Sequence, residues 1–191
     1  MWREPEEALA SLKRRSERNR PTRLDCGLCV VRTYREDDAE ALQALADDWE
    51  VARYMRDRFP HPYGIADARE WIAKNAHPLS TNFAIEADGE YAGGVGYMRF
   101  ENEARLTAEA GYWLGRKFWG RGIATAAFGC LVQLAFERED VVRLEAGAYS
   151  NNPRSQRVLE KCGFQREGVH RRAVIKGDEI LDVVMYAKLR D

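Results

Sequence analysis

The alternation of apolar residues along this chain predicts an α/β protein of the α+β kind, with a central mixed, largely antiparallel sheet and helices on both faces. Three observations carry that prediction. Segments of period-two patterning alternate with segments of helical spacing, and several strands are joined by turns short enough to demand antiparallel pairing. One helix-length segment also separates the strand at 108–115 from that at 141–149. A right-handed crossover through that helix sets those two strands parallel.

Taken in order, residues 1–21 are charged, with Leu9 and Leu12 the only aliphatic residues larger than alanine, and are expected to form a helical or flexible arm ahead of one domain at 22–191. LDCGLCVVRTYR alternates as the first strand, with Leu24, Cys26, Leu28 and Val30 on one face and Cys29 on the other. REDDAEALQALADDWE reads as a surface helix, Asp37 and Asp38 at its start and Leu42 and Leu45 at helical spacing. Pro60, Pro62 and Gly64 interrupt the pattern until Asp67 caps a second helix carrying Trp71 and Ile72. NFAIEADGEYAGGVGYMRF and AEAGYWLG form a three-stranded meander. FWGRGIATAAFGC opens the crossover helix and VVRLEAGAY is the strand after it. NNPRSQRVLEKCGF is a short helix with Asn152 as N-cap, Pro153 at its first position and Gly163 closing it. RRAVIKGDEILDVVMYAKL ends the chain as a hairpin turning at 176–179.

At 191 residues and 45% hydrophobic, the chain suits a single domain with a sizeable core. Thirty basic against 31 acidic residues leave a net charge of −1, so no global field favours nucleic acid or an anionic membrane, and neither partner is expected. No apolar run approaches the roughly 18 to 20 residues of a span, and the first twenty residues lack the apolar core of a signal peptide, so a cytoplasmic protein is expected. The one CxxC, Cys26 and Cys29, places its thiols on opposite faces of a strand, where they cannot chelate. His61, His77 and His170 show no paired ligand spacing. No metal is expected, and the cysteines and histidines are read as packing residues.

The segment with most chemical content is the glycine loop. Between Leu114 and Ile123 the chain leaves a strand and enters a helix, so the backbone N–H groups around Gly120 to Ala124 have no intrahelical acceptors. Gly120 and Gly122 remove side-chain bulk where those donors point, the helix dipole favours an anion, and Arg121 adds positive charge. A phosphate or pyrophosphate suits such a loop. GxxxxGK[ST] is absent, and a dinucleotide fingerprint requires Gly or Ala where Thr125 stands.

The window Trp119-Gly120-Arg121-Gly122-Ile123-Ala124 resembles the pyrophosphate loop Q/R-x-x-G-x-G/A of the GNAT superfamily of acyl-CoA-dependent N-acyltransferases, departing from it only at Trp119. With Gly111-Tyr112-Trp113 before it, and Asn152, Ser155, Gly163-Phe164 and Glu167-Gly168 after it, the chain is similar to the RimJ/RimL branch of ribosomal-protein N-acetyltransferases. The resemblance covers about 22–190. It implies a V-shaped cleft where the strands at 108–115 and 141–149 splay apart to hold acetyl-CoA, the cosubstrate. Pantetheine amides would pair with backbone at Tyr112, Trp113 and Leu114, the pyrophosphate would lie on Trp119, Gly120, Arg121, Gly122, Ile123, Ala124 and Thr125, and Asn152 and Ser155 would touch the pantetheine arm.

The resemblance also suggests roles. Glu109 is the candidate base, acting directly or through water, and a backbone N–H near Leu114 the oxyanion donor. The tyrosine that many relatives place seven residues beyond the Asn is Leu159 here, so Ser155 is the candidate hydrogen-bond partner of the leaving sulfur. Arg171 to Ile175 offers no carboxylate where some branch members carry one. The acceptor site is expected from Phe59, His61, Tyr63 and Trp71 with the late hairpin.

The reading that follows is acetyl transfer to a primary amine by direct attack in a ternary complex, the amine being a protein or peptide N-terminus or a small molecule. The alternatives are a polyamine, amino-acid or aminoglycoside N-acetyltransferase, and a non-catalytic acyl-CoA sensor. Either a monomer or a homodimer is compatible with these residues.

Overall fold

In the computed structural model the described residues are 21–138 and 140–190, so all but Pro21 of the expected arm lies outside them. The first difference from the sequence expectation comes at once. Residues 24–30 do not run on as one strand: β1 (Arg23–Asp25) and β2 (Val30–Arg32) pair antiparallel, with Leu24 opposite Val31. Asp25 accepts the Gly27 N–H at 2.9 Å and Cys26 N donates to Cys29 O at 2.8 Å, closing a tight turn that apolar alternation does not register.

That turn also corrects the reading of the cysteines. Cys26 is bonded to Cys130 in a disulfide across 104 residues, their Cα atoms 6.2 Å apart. Cys29 is buried and its thiol contacts Ile123 O at 3.8 Å. Burial pushes the Cys29 thiol up to about 11, so it remains protonated.

The sheet has eight strands in the order β1-β2-β3-β4-β5-β6-β8-β7. β3 (Asn82–Ala87), β4 (Glu90–Arg99) and β5 (Thr107–Leu114) form the expected meander, and β7 (Gln165–Lys176) with β8 (Glu179–Leu189) the expected hairpin. β6 (Arg143–Tyr149) runs parallel to β5, as the crossover rule requires, while every other neighbouring pair is antiparallel.

Helices cover both faces. The single helix expected over 35–50 is interrupted: a 3-10 turn at Glu36–Asp38 leads into α1 (Ala39–Ala46), and Asp48 then caps α2 (Trp49–Ala52) by accepting Glu50 N–H at 2.9 Å. In α3 (Ile65–Asn75) the cap position belongs to Gly64, and Asp67, expected there, stands three residues inside and accepts Gly64 N–H at 2.8 Å. The crossover helix is α4 (Ile123–Arg138), and the helix from Pro153 is α5 (Pro153–Lys161). On one face Phe128, Leu131 and Leu159 pack with Val31, Ile85 and Leu144; on the other, Leu42 and Ile72 pack with Tyr34, Ala84 and Tyr91. Each such large aliphatic or aromatic side chain contributes about 1.5–3 kcal/mol by leaving water.

A buried ion cluster joins the first layers. Arg32 donates to Asp38 at 2.6 and 2.8 Å and to Glu86 at 2.7 Å. Burial alone would disfavour the Arg32 charge, but the bonds to Asp38 and Glu86 outweigh it and its pKa rises. Asp38, expected on a surface helix, is thus a core residue that ties β2 to the 3-10 turn.

Candidate active site

β5 and β6 are partners only from Thr107 opposite Arg143 to Glu109 opposite Glu145. Beyond that point β5 stays with β4 as far as Leu114 and β6 stays with β8 as far as Tyr149, so each strand keeps its outer neighbour and loses the inner one. The result is the V-shaped cleft, with the backbone edge of residues 110–114 open to a ligand's amides.

The glycine loop forms the mouth of this cleft. Backbone N–H groups from Gly120 to Thr125 meet no acceptor among the described residues, and the first to do so is Ala126, which donates to Gly122 O at 3.1 Å. Gly120 and Gly122 have φ of 75° and 80°, a left-handed conformation that side chains resist. A Cβ at Gly120 would meet nothing within 4 Å, so the space over the loop is open. Trp119 Nε1 donates to Leu114 O at 2.8 Å and anchors the loop to the end of β5. Arg121 is paired with Asp88 at 2.6 Å, so an arriving anion shares its guanidinium with that carboxylate. Free donors, open space and a positive dipole fit a pyrophosphate.

Strand alternation divides the predicted site residues of β5 between its two faces. Glu109 and Trp113 face the α1 and α3 side, where Trp113 packs edge-on against Phe59 at 5.4 Å. Glu109 is ion-paired with Arg56. Tyr112 faces the opposite side, its ring 5.3 Å from that of Phe128 on α4, and its hydroxyl donates to Ser155 Oγ at 3.0 Å. Ser155 is held by Asn152, whose Oδ1 accepts the Ser155 N–H at 3.1 Å as the N-cap of α5. Burial pushes the Tyr112 phenol up to about 12, against a smaller opposing effect of the Ser155 bond. Leu159 is buried in the core.

Of the residues expected at the acceptor site, Phe59 and Tyr63 meet as a tilted pair with ring centroids 4.9 Å apart, but Tyr63 is only 5% exposed and belongs chiefly to the core. His61 lies against Trp49 at 5.5 Å and 3.6 Å from Asp47. Trp71 stands edge-on to Tyr34 at 6.4 Å, away from the depression that opens beside the hairpin. That depression, about 290 Å³, is lined by Trp49, Arg53, Asn151, Lys176, Glu179 and Leu181. Lys176 reaches Asp57 at 2.9 Å, which joins the hairpin to the α2–α3 connection. Trp49, Arg53 and Arg56 carried no signal in sequence beyond lying near a Pro-rich loop. Asp182 Oδ1 accepts Arg172 N–H at 2.7 Å and Tyr186 donates to Glu160 at 3.1 Å, so both have structural partners. Cys162 donates to Thr125 O at 3.5 Å, and burial raises its pKa. Among the described residues no group of three or more His, Cys, Asp or Glu gathers as a metal site would.

A split parallel strand pair, with a donor-rich helix start at one end and a carboxylate beside the fork, is built to hold an anionic ligand along open strand backbone. Residues 29–165 match the family described as acetyltransferase (GNAT) domain, and the chain belongs to that family. It is 30% identical over 169 residues to N-acetyltransferase p20 of Bacillus licheniformis, covering 84% of this chain and 92% of that protein. It is 31% identical over 109 residues to the ribosomal-protein-serine acetyltransferase of Escherichia coli, 57% of this chain and 60% of the relative. Among solved structures it resembles the microcin C7 self immunity acetyltransferase MccE in complex with acetyl-CoA and AMP, with TM-score 0.73, 25% identity and coverage of 86% of this chain and 93% of that one. The protein is an acetyl-CoA-dependent N-acyltransferase, similar to the RimJ/RimL branch.

Proposed function

We propose that the protein transfers the acetyl group of acetyl-CoA to a primary amine by direct attack in a ternary complex, and that the amine is the N-terminus of a protein or peptide. The observation that carries this reading is the fork of β5 and β6, which opens immediately after Glu109. Acetyl-CoA supplies an activated thioester. The free edge of 110–114 orients the pantetheine arm, and the Gly120 to Thr125 amides hold the pyrophosphate. Glu109 takes the amine's proton, directly or through one water, and a backbone N–H near Leu114 receives the developing negative charge on the carbonyl oxygen. Ser155 hydrogen-bonds the departing sulfur.

A peptide acceptor is favoured by the ribosomal-protein-serine acetyltransferase among the relatives, and by an open depression of mixed charge that suits a chain entering from solvent. The test is acetyl-CoA turnover with a panel of peptides of differing first residues against free amino acids, polyamines and aminoglycosides. Peptide acceptors should give kcat/KM at least tenfold above any free amine. A small amine that saturates at micromolar concentration while every peptide fails would overturn the choice of acceptor. Binding of acetyl-CoA with no turnover of any amine would replace the enzymatic reading of this chain with a sensor.

A further inference from the structure

Ser155 as a partner for the leaving sulfur raises a physical difficulty. A serine hydroxyl rotates freely and has one hydrogen, so its donation toward the cleft has to be enforced by something that occupies its oxygen. The α5 cap does not do this, because Asn152 accepts from the Ser155 backbone N–H and leaves Oγ free. Tyr112 does. Its hydroxyl lies 3.0 Å from Oγ, and the phenol, a far stronger acid than the serine alcohol, is the donor of the pair.

We infer that Tyr112 is a positioning residue for acetyl transfer: by donating to Ser155 Oγ it turns the serine's own hydrogen toward the cleft, where that hydrogen bonds the coenzyme A sulfur. This rests on the proposed role of Ser155. Two structural features support it. The tyrosine stands three residues past Glu109, on the opposite face of β5, so proton removal from the amine and stabilisation of the sulfur are physically separated. Its ring is fixed against Phe128, so the hydroxyl points at Ser155 with little freedom. Donor chains of this kind also polarise one another, which strengthens the terminal bond.

The electron balance is simple. As the amine nitrogen forms its bond to the carbonyl carbon, the carbon–sulfur bond breaks and its electron pair stays on sulfur. The thiolate accepts the Ser155 hydrogen bond, the amine's proton leaves through Glu109, and the thiolate takes a proton from solvent after release. Neither Tyr112 nor Ser155 changes its proton count.

The test reads the coenzyme rather than the turnover. Coenzyme A labelled with carbon-13 in its cysteamine unit is bound to the protein, and the thiol is titrated by NMR. In the wild type it should titrate below free coenzyme A, because the charged form is hydrogen-bonded. Ser155→Ala should raise the titration midpoint by about 1 pH unit, as loss of one charge-assisted hydrogen bond predicts. Tyr112→Phe, which keeps the ring packing, should raise it by a comparable amount without weakening coenzyme binding more than about twofold. The double variant should match Ser155→Ala alone. A Tyr112→Phe midpoint equal to the wild type, or a double variant that moves well beyond Ser155→Ala, would overturn the inference while coenzyme binding stands. Failure of the wild type to bind coenzyme A would withdraw both this inference and the acetyl-CoA reading beneath it.

Discussion

The Arg56 guanidinium is paired with the Glu109 carboxylate across 53 residues of sequence, linking the α2–α3 connection to the strand that bears the candidate base. Arg56 is about half exposed and Glu109 largely covered, so the arginine stands between solvent and the carboxylate. In the proposed reaction an incoming ammonium group would compete with it.

Replacement of the base is the direct check. Glu109→Gln should lower kcat by about 10²- to 10⁴-fold with acetyl-CoA affinity retained, the range for loss of a general base. In contrast, Arg56→Gln should lower KM for a cationic acceptor by about threefold or more, since one competing charge is gone. Initial-rate kinetics on both variants decide the matter. An unchanged kcat in Glu109→Gln would remove this residue from the mechanism.

The glycine loop gives a binding prediction. Gly120→Ala places a methyl group into the open space above the loop at φ 75°, where strain costs about 1 kcal/mol. The dissociation constant for acetyl-CoA, measured calorimetrically, should rise at least tenfold. Gly122→Ala carries the same strain at φ 80° and in addition sets its methyl group 3.1 Å from Leu28 Cδ1 in the β1–β2 turn, so it should lower thermal stability more than Gly120→Ala does. Equal affinity in Gly120→Ala would show that nothing lies on the loop.

Stability should depend on the buried ion cluster. Asp38→Asn leaves Arg32 with half of its compensation, and breaking a buried pair costs about 3–5 kcal/mol. The Arg32 hydrogen bond also holds the Glu86 carboxyl below its ordinary value of 4.5. A group whose folded pKa is depressed stabilises above its unfolded value and loses that contribution as pH falls through the folded one. Urea unfolding should therefore show wild-type stability falling below pH 4.5 more steeply than that of Glu86→Gln. Parallel curves would exclude a contribution from Glu86.

Closing a loop of 104 residues, the Cys26–Cys130 disulfide should stabilise the fold by about 2–4 kcal/mol. Thermal unfolding with and without reductant, alongside Cys26→Ser, should show the same loss in both. A melting temperature indifferent to reductant would mean that the bond contributes nothing in solution.

Local pattern sufficed for much of the architecture. The meander, the crossover, the parallel placement of β6 beside β5 and the Asn152 cap were legible because alternation, turn length and capping are set by residues adjacent in sequence. The glycine loop was legible for the same reason: a strand end, two small residues and a helix start are contiguous. What failed was also local in origin, since a four-residue turn at 26–29 and the break before Asp48 leave the apolar pattern almost unchanged.

The candidate site divides along the same line. By itself the sequence determined which residue types stand at the fork and at the helix start, and its resemblance to the GNAT superfamily supplied the expectation of acyl transfer. Only the tertiary structure decided that Arg56 meets Glu109, that Tyr112 meets Ser155, that Trp49 rather than Trp71 lines the depression and that Cys26 finds Cys130. Each of these contacts joins segments brought together by sheet order and helix packing, and the energy that selects them is the burial of the whole core rather than any preference of the neighbouring residues.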